Sequence, residues 1–294
     1  MSQKVVKKAF AKLDLGIHID PEKSKDGYFP VSYLDCQLDI YDELLLEDAK
    51  SGIEIVCDSP KVPTNEDNFI YQAGVLLKEL SGNRNLGAKI TLKKRIPIKA
   101  GFGGGSSDGA AAFFGLSQLW NIHLLPNQIV EFSNKLGKDF YYSLYGGLLE
   151  VQSVGRSYKK TEIPCRFVEF WTVVVVPVLE KPSTGWIYEH LDRDKIGKSF
   201  NKFKKLKQAL LNKDKANIMA NLFNDFESSV AVYFPIISEI EHDLADAGAS
   251  GKLMAGAGLS VVGFFDSPKK AEAAILRLKK NQKYRQVLIS KTIF

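Results

Sequence analysis

The feature that most restricts the fold of this 294-residue chain is a run of glycine and serine between a predicted strand and a predicted helix. Residues 88–94 alternate apolar and polar side chains, as a strand does, and the alanine-rich stretch from 107 to 120 predicts a helix. Glycine backbones accept positive φ and allow a ligand to approach closely. The first amides of a helix attract anions because they have no intrahelical partner. The segment from Gly101 to Ser107 therefore predicts a phosphate-binding loop, with a flexible surface turn as the alternative.

This loop differs from two familiar phosphate-binding patterns. A Walker loop carries a lysine after its last glycine, whereas Ser106 follows Gly105 here. A dinucleotide-binding fingerprint needs a third, later glycine and an acidic residue ~20 positions on, and both are missing. The two serines add hydroxyl groups that can contact phosphate or a magnesium ion. The pattern therefore favours phosphate binding of a kind that neither of these two motifs describes.

Composition narrows the class of protein. Hydrophobic residues make up 45% and charged residues 25% of the chain, as in folded globular proteins. The net charge of +6 suits an anionic ligand such as a nucleotide, but proteins that bind no acidic partner often carry a similar charge. Cys36, Cys57 and Cys165 show no C-x-x-C spacing and the histidines are scattered. We therefore expect reduced thiols and no zinc site.

The sequence predicts neither a secretion signal nor a membrane span. Charges interrupt the apolar positions of residues 1–20. The apolar run at 171–179 is far shorter than the ~20 residues that a helix needs to cross a bilayer. We expect a cytoplasmic protein without membrane contact.

Strand-like and helix-like segments alternate irregularly along the chain, which predicts an α+β fold. A helix begins near Asn65, which we expect to cap it. The other predicted helices lie at 126–136, within 193–217, at 235–247 and at 268–280, and the other predicted strands at 4–19, 33–46, 52–57, 146–153, 168–177 and 285–290, with a strand, glycine turn and strand over 251–265. We place a domain boundary near residue 155, giving domains 1–155 and 156–294.

Two charged residues stand out from their surroundings. Lys12 interrupts the apolar strand F-A-K-L-D-L, where it is either an edge residue that reaches solvent or an inward-facing cation with a function. Asp139 precedes three aromatic residues in L-G-K-D-F-Y-Y, where it is either a helix cap or a general base. The residues alone leave both alternatives open.

Three segments in this order resemble the three motifs of the GHMP kinases: A-K-L-D-L at 11–15, P-I-K-A-G-F-G-G-G-S-S-D-G-A at 97–110 and M-A-G-A-G-L-S at 254–260. Within that superfamily, further stretches are most similar to the 4-diphosphocytidyl-2-C-methyl-D-erythritol kinases of the non-mevalonate isoprenoid pathway. These include D-G-Y-F at 26–29, P-T-N-E-D-N at 63–68 and N-D-F-E at 224–227. The resemblance runs from about residue 9 to residue 265.

The resemblance implies a two-domain α+β GHMP kinase fold with the active site in the cleft between the domains. It implies ATP-dependent phosphorylation of the 2-hydroxyl of 4-diphosphocytidyl-2-C-methyl-D-erythritol, with ATP and Mg²⁺ and no nucleic acid or membrane partner. We expect a monomer or weak homodimer. The implied catalytic residues are Lys12 and Asp139. The implied nucleotide-binding residues are Gly101, Gly103, Gly104, Gly105, Ser106, Ser107, Asn68, Lys94, Gly256 and Gly258, and Ser107 is also a candidate metal ligand. The implied acceptor-binding residues are Asp14, Tyr28, Phe29 and Tyr188.

The sequence departs from the family pattern at several of these places. Phe29 replaces a histidine that helps to bind cytosine, Asp14 and Asp108 replace asparagines, Phe140 and Tyr141 replace Val-Pro, and Ala255 and Ala257 replace serines. Phosphoryl transfer does not obviously need the replaced groups. The departures leave two alternatives open: a GHMP kinase for homoserine, mevalonate or a sugar, and a relative that binds nucleotide without turnover.

A third alternative is nucleic-acid binding through the lysine-rich stretch over 195–215. It contains Lys195, Lys198, Lys202, Lys204, Lys205, Lys207, Lys213 and Lys215, which are able to neutralise phosphates. We interpret it instead as the solvated face of a helix, because Phe200 and Phe203 fall at the spacing of a buried stripe.

Overall fold

A computed structural model describes residues 3–155, 157–164 and 169–293, so Cys165 lies outside the described residues. The chain forms two compact units, each assembled from several segments. The first unit comprises Met1–Lys12, Ile40–Ile98 and Gly103–Tyr145, and the second comprises Leu13–Asp39, Lys99–Phe102 and Gly146–Phe294. Each unit combines strands with helices, as the predicted α+β class requires. The predicted sequence boundary near residue 155 stays a prediction.

The described residues form the following strands: β1 Lys4–Ile19, β2 Val31–Ala49, β3 Gly52–Cys57, β4 Gly87–Lys93, β5 Leu149–Val154, β6 Ser157–Glu162, β7 Trp171–Pro177, β8 Phe223–Asn224, β9 Gly251–Met254, β10 Val261–Phe265 and β11 Tyr284–Ile293. They form the following helices: α1 Phe69–Ser81, α2 Gly104–Leu119, α3 Pro126–Leu136, α4 Lys138–Tyr145, α5 Thr184–Glu189, α6 Phe200–Asn212, α7 Lys215–Ala220, α8 Glu227–Tyr233, α9 Ile236–Asp246 and α10 Pro268–Leu278.

In the first unit, helices α1 and α2 cover a sheet of β2, β3 and β4. β4 pairs antiparallel with β2, where Leu46 lies opposite Ile90, and parallel with β3. The apolar faces of these strands and helices form one buried cluster that includes Leu44, Leu92 and Phe113. The helices approach closely, because a Cβ on Gly109 would lie 2.6 Å from Cβ of Phe69. This packing fixes the first turn of α2, which carries the glycine loop.

In the second unit, β7 lies between β11 and β10, and β9 extends the sheet beyond β10, all antiparallel. Residues Val173–Val176 of β7 are buried, as expected for a central strand. The short strand β8 pairs parallel with β1, where Asn224 lies opposite Ile17. The end of β9 leads directly into the glycine turn of residues 255–258.

Several predicted boundaries differ from the structure by two or three residues, as at the ends of β2 and β11, and three of the differences have a clear local reason. Asn68, not Asn65, caps α1, because its side chain accepts the Ile70 amide hydrogen bond at 2.8 Å. Helix α2 begins at Gly104 rather than at residue 107, so the last glycines of the loop belong to its first turn. Strand β5 begins at Leu149 because Gly146 and Gly147 form a turn with φ of 64° and 75°.

The sequence analysis did not predict α4, α5, α8, β6 or β8, which span eight residues or fewer each. Among the described residues, no helix is both long and apolar enough to cross a membrane. Cys36 and Cys57 are free thiols, in agreement with the prediction for those two residues.

Candidate active site

Lys12 and Asp139 form an ion pair inside the first unit. Nζ of Lys12 lies 3.5 Å from Oδ1 of Asp139, and Nζ of Lys138 lies 3.4 Å from the same oxygen. The side chain of Lys12 is only 5% exposed, whereas that of Asp139 is 35% exposed. Lys12 is therefore the inward-facing cation of the two alternatives, and the carboxylate beside it remains open to solvent.

Aromatic packing holds Asp139 in this position. Asp139 lies in the first turn of α4, and the next residue, Phe140, is fully buried. The Phe140 ring meets Phe113 of α2 edge to face at 6.2 Å, and Phe113 also contacts Phe132 of α3 at 5.5 Å. Edge-to-face ring pairs stabilise the packing beyond the effect of the apolar area that they bury. The cluster therefore ties the start of α4 to α2.

The glycine loop contacts the ion pair through Gly103. Gly103 precedes α2 with a φ of 62°, a conformation that favours glycine. A Cβ at this position would lie 2.8 Å from Cγ of Lys12 and 3.6 Å from Cβ of Asp139. Among the described residues, no side chain caps the N-terminus of α2. Its first amides and partial positive charge, which favour an anion, therefore lie beside Lys12 and Asp139.

The two serines of the loop have different surroundings. Ser107 is buried, and its hydroxyl donates a hydrogen bond to the carbonyl oxygen of Phe10 in β1 at 2.8 Å. Its oxygen retains lone pairs that can accept a hydrogen bond or bind a cation. Ser106 is half-buried and Gly105 is exposed, so solvent reaches this side of the loop.

Lys94 forms a buried ion cluster with Asp42 and Asp108. Its Nζ lies 2.7 Å from Oδ2 of Asp108 and also contacts Oδ2 of Asp42. Burial lowers the pKa of Lys94, but the charges of Asp108 and Asp42 outweigh this effect and raise the pKa. Burial and the nearby Asp42 raise the pKa of Asp108 well above its usual range, although Lys94 opposes them. The cluster joins β2, the end of β4 and α2 under the glycine loop.

The other predicted nucleotide residues lie in three places. Asn68 is buried as the cap of α1, and its amide nitrogen donates to the carbonyl oxygen of Pro63 at 2.6 Å. Gly101, with a φ of 94°, packs on the glycine turn of the second unit, since a Cβ there would lie 2.1 Å from the carbonyl oxygen of Ala255. Gly256 and Gly258 belong to that turn and have φ of 54° and 86°. The nucleotide roles of all these residues stay predictions.

The predicted acceptor residues all belong to the second unit. Asp14 is buried in β1, and Tyr28 is 48% exposed. Lys23 and Arg193 lie 5.0 Å and 5.9 Å from the ring centroid of Phe29. Two cations therefore flank the Phe29 ring. Their contact with an acceptor stays a prediction.

The aromatic ring of Tyr188 in α5 is held by two other side chains. It packs edge to face against Phe226 at 5.0 Å, and its hydroxyl lies 3.5 Å from that of Tyr33. These contacts orient the ring of Tyr188. Its contact with an acceptor stays a prediction, as it does for Asp14, Tyr28 and Phe29.

The sequence analysis missed Lys138 and Asn224 as site residues. Lys138 directly precedes Asp139, but Lys12 reaches the same carboxylate oxygen from strand β1, so only the tertiary structure brings both lysines to it. Asn224 lies in the N-D-F-E stretch, and its side chain binds the glycine turn at 255–258. The preference of asparagine for turns was the available signal, but it points to local rather than distant contacts.

Comparison with known proteins agrees with this geometry. Residues 68–149 match the GHMP kinases N terminal domain, and residues 206–283 match the GHMP kinases C terminal domain. The 4-diphosphocytidyl-2-C-methyl-D-erythritol kinase of Alkaliphilus metalliredigens is 33% identical over 268 residues, covering 91% of this chain and 90% of that protein. The chain belongs to the GHMP kinases and is an ATP-dependent small-molecule kinase.

Two solved structures show how widely this fold is shared. A crystal structure of 4-(cytidine 5'-diphospho)-2C-methyl-D-erythritol kinase superposes with a TM-score of 0.81 at 26% identity, covering 98% of this chain and 99% of that one. Homoserine kinase from Cytophaga hutchinsonii superposes with a TM-score of 0.78 at 21% identity, covering 100% and 95%. Since kinases for different alcohols share the architecture, the fold alone does not select the acceptor.

Proposed function

We propose that this kinase transfers the γ-phosphoryl group of ATP to the 2-hydroxyl of 4-diphosphocytidyl-2-C-methyl-D-erythritol, in the non-mevalonate route to isoprenoid precursors. The Lys12–Asp139 pair against Gly103 carries the chemical part of the proposal, because it joins a carboxylate to a phosphate-binding loop. The relative from Alkaliphilus metalliredigens supports this choice of acceptor, because it is named as a kinase of this compound and its match covers 91% of the chain.

In the proposed reaction, Asp139 accepts the proton of the attacking hydroxyl. Its carboxylate is open to solvent on one side and contacts two ammonium groups on the other. Lys12 is almost fully buried. It holds the carboxylate of Asp139 in place and keeps a positive charge near the transferring phosphoryl group. In phosphoryl transfer the protein chiefly positions the reactants and offsets developing charge. These roles match that requirement.

The amides at the start of α2 would hold the nucleotide phosphates. Gly103 and Gly104 have no side chains, so the phosphates can approach the backbone closely. A side chain at Gly104 would also be crowded, because its Cβ would lie 3.0 Å from Cγ2 of Ile96. The buried Lys94 cluster lies beneath the loop and keeps it in place. We propose that Gly101 to Ser107 together enclose the β- and γ-phosphates.

Magnesium is the expected companion of ATP, and the residues present fit it. Mg²⁺ prefers oxygen ligands and is commonly held by one or two protein oxygens together with substrate phosphates. Oγ of Ser107 supplies such an oxygen in the first unit. Among the described residues, no group of three or more His, Cys, Asp or Glu side chains could hold a metal ion by itself. When bound with ATP, the ion would neutralise phosphate charge.

The test measures ATP consumption by the purified protein with Mg²⁺ and each of four acceptors: 4-diphosphocytidyl-2-C-methyl-D-erythritol, homoserine, mevalonate and galactose. The proposal predicts turnover with the first compound and background rates with the other three. Turnover with one of the others alone would overturn the proposed acceptor and the roles of Tyr28 and Tyr188. An excess of EDTA should abolish turnover if the metal assignment is correct.

A further inference from the structure

The turn that follows β9 is built so that two backbone amides remain available. Residues 255–258 form a β-turn in which the Gly258 amide donates to the carbonyl oxygen of Ala255 at 2.8 Å. Gly256 takes the second position with a φ of 54°, which explains the glycine there. In the part of the chain that the structure describes, the amides of Gly256 and Ala257 have no hydrogen-bond partner.

This turn contacts the beginning of the glycine loop. The carbonyl oxygen of Ala255 lies 2.1 Å from the place that a Cβ on Gly101 would occupy, so only glycine fits. Ala255 and Ala257 contribute methyl groups where the family has serines. Any polar contact between this turn and a bound anion must therefore come from its backbone amides. The orientation of each peptide plane determines the direction of its amide N–H.

Asn224 determines that orientation. Its side-chain nitrogen donates to the carbonyl oxygens of Met254 at 2.8 Å and of Gly256 at 2.7 Å, while its side-chain oxygen accepts from the Phe226 amide at 3.0 Å. In a trans peptide the C=O and the following N–H point in opposite directions. Because Asn224 binds the Gly256 oxygen, the Ala257 N–H is directed away from Asn224.

Two other side chains anchor the ends of the turn. Glu227 accepts a hydrogen bond from the Met254 amide at 2.7 Å, and Lys181 donates to the carbonyl oxygen of Gly258. Asn224 differs from both because it binds a carbonyl inside the turn. It is also buried, and both of its donor hydrogens are used. A carboxylate or a hydroxyl of similar size cannot reproduce two donated bonds from one atom.

We infer that Asn224 is a positioning residue for ATP: it turns the Gly256–Ala257 peptide so that the Ala257 amide donates to a nucleotide phosphate. The inference rests on the proposed function, since it assumes that Gly101, which contacts this turn, takes part in holding the phosphates. Successive free amides in a turn with left-handed residues are a recurrent anion-binding arrangement. Asn224 itself need not touch the nucleotide.

The test compares Asn224→Asp with Asn221→Asp. Both substitutions exchange an amide for a carboxylate in the second unit, but the Asn221 side chain only donates to the Asn217 carbonyl oxygen of α7. Asn224→Asp removes both donated bonds and places a negative oxygen against two carbonyl oxygens. The measured quantity is the ratio of Kd values for adenosine and ADP, obtained by calorimetry. This ratio reports phosphate binding and does not depend on the fraction of folded protein.

We expect Asn224→Asp to lower the adenosine-to-ADP Kd ratio by about 10- to 100-fold, as expected for loss of a hydrogen bond to a charged group. The KM for ATP should rise similarly, while the KM for the acceptor stays unchanged. Asn221→Asp should match the wild type. An unchanged ratio in Asn224→Asp would overturn the inference. If that variant does not fold, Asn224→Ser, which can donate only one bond, provides the same comparison.

The outcomes separate this inference from the proposed function. Wild-type protein that fails to phosphorylate the diphosphocytidyl acceptor would contradict the proposed function, whereas the Kd ratio needs no acceptor. A wild type that turns over normally, together with an unaltered ratio in Asn224→Asp, would contradict only the role of Asn224.

Discussion

Gly103 packs against Lys12 so closely that a single added carbon would lie 2.8 Å from Cγ of the lysine. The glycine loop and the lysine of the ion pair are therefore fixed against each other by the absence of a side chain. Asp139 completes the arrangement at 3.5 Å from the ammonium group.

Replacing Asp139 by asparagine should remove the proposed general base without changing the shape of the site. We predict a fall in kcat of about 10²–10⁴-fold with little change in the KM for ATP. Steady-state kinetics with both substrates varied would measure this effect. Glu131→Gln on the neighbouring helix α3 is a matched control, because Glu131 is exposed and pairs only with Lys135 in the described contacts. Retention of more than a tenth of kcat would exclude Asp139 as the base.

Replacing Gly103 by alanine should lower kcat/KM strongly but lower the free energy of unfolding only moderately. A matched control exists in Gly82, which also has a positive φ, 67°, but has nothing within 4 Å of an added Cβ. Both substitutions should lower the free energy of unfolding by about 1–2 kcal/mol because of the left-handed backbone. Only Gly103→Ala displaces Lys12, so only it should lower kcat/KM strongly. Equal activity in the two variants would show that the contact with Lys12 is unimportant.

Much of this arrangement follows from sequence patterns, because the glycine loop and the alternation of β4 are local signals. The position of Asp139 is not local: it depends on Phe140 packing against Phe113, which belongs to a different helix. The wrong cap at Asn65 has a similar cause. Asn65 and Asn68 are equally suitable residue types, and only the backbone at Asn68 brings its oxygen to the Ile70 amide.

The role of Asn224 was beyond prediction from sequence for the same reason. It binds carbonyl oxygens at Met254 and Gly256, and the intervening chain folds into two helices and a strand before it returns. The family resemblance supplied the motifs and the expected substrate. It could not indicate which side chain orients a peptide plane in the turn.

Removing the positive charge of Lys94 from its buried ion cluster should lower the free energy of unfolding of the protein. Lys94→Met leaves two buried carboxylates without their ammonium partner, and breaking a buried pair in this way costs about 3–5 kcal/mol of unfolding free energy. Adding Asp108→Asn removes one of those charges and should recover part of the loss. Urea unfolding of the single and double variants measures both changes. A double variant no more stable than Lys94→Met would contradict the electrostatic interpretation of the cluster.

The stability of the protein should fall with rising pH across weakly acidic conditions because of Glu227. Burial, then the nearby Glu241, raise the pKa of Glu227 from 4.5 to about 7, although the hydrogen bond from the Met254 amide opposes them. Between these two pKa values the folded protein keeps a proton that the unfolded chain releases. The contribution is therefore fully present below pH 4.5 and is lost as pH rises to about 7.

The size of this effect is set by the difference of the two pKa values and amounts to about 3 kcal/mol. Urea unfolding at pH 4 and pH 8 would measure it. Glu227→Gln, which keeps an oxygen for the Met254 amide but cannot ionise, should reduce the pH dependence by that amount. A slope that is the same in wild type and Glu227→Gln would contradict the assignment.

The most direct test of the central claim is the position of the phosphate in the product. The 2-carbon of 2-C-methyl-D-erythritol carries the methyl group, so its hydroxyl is tertiary and its carbon bears no hydrogen. A proton-coupled ³¹P NMR spectrum of the product made from ATP and 4-diphosphocytidyl-2-C-methyl-D-erythritol should show a new phosphomonoester signal without three-bond splitting by hydrogen. A doublet or triplet would place the phosphate on a secondary or primary hydroxyl, and the absence of a new signal would show that this compound is not the acceptor; either result would contradict the account.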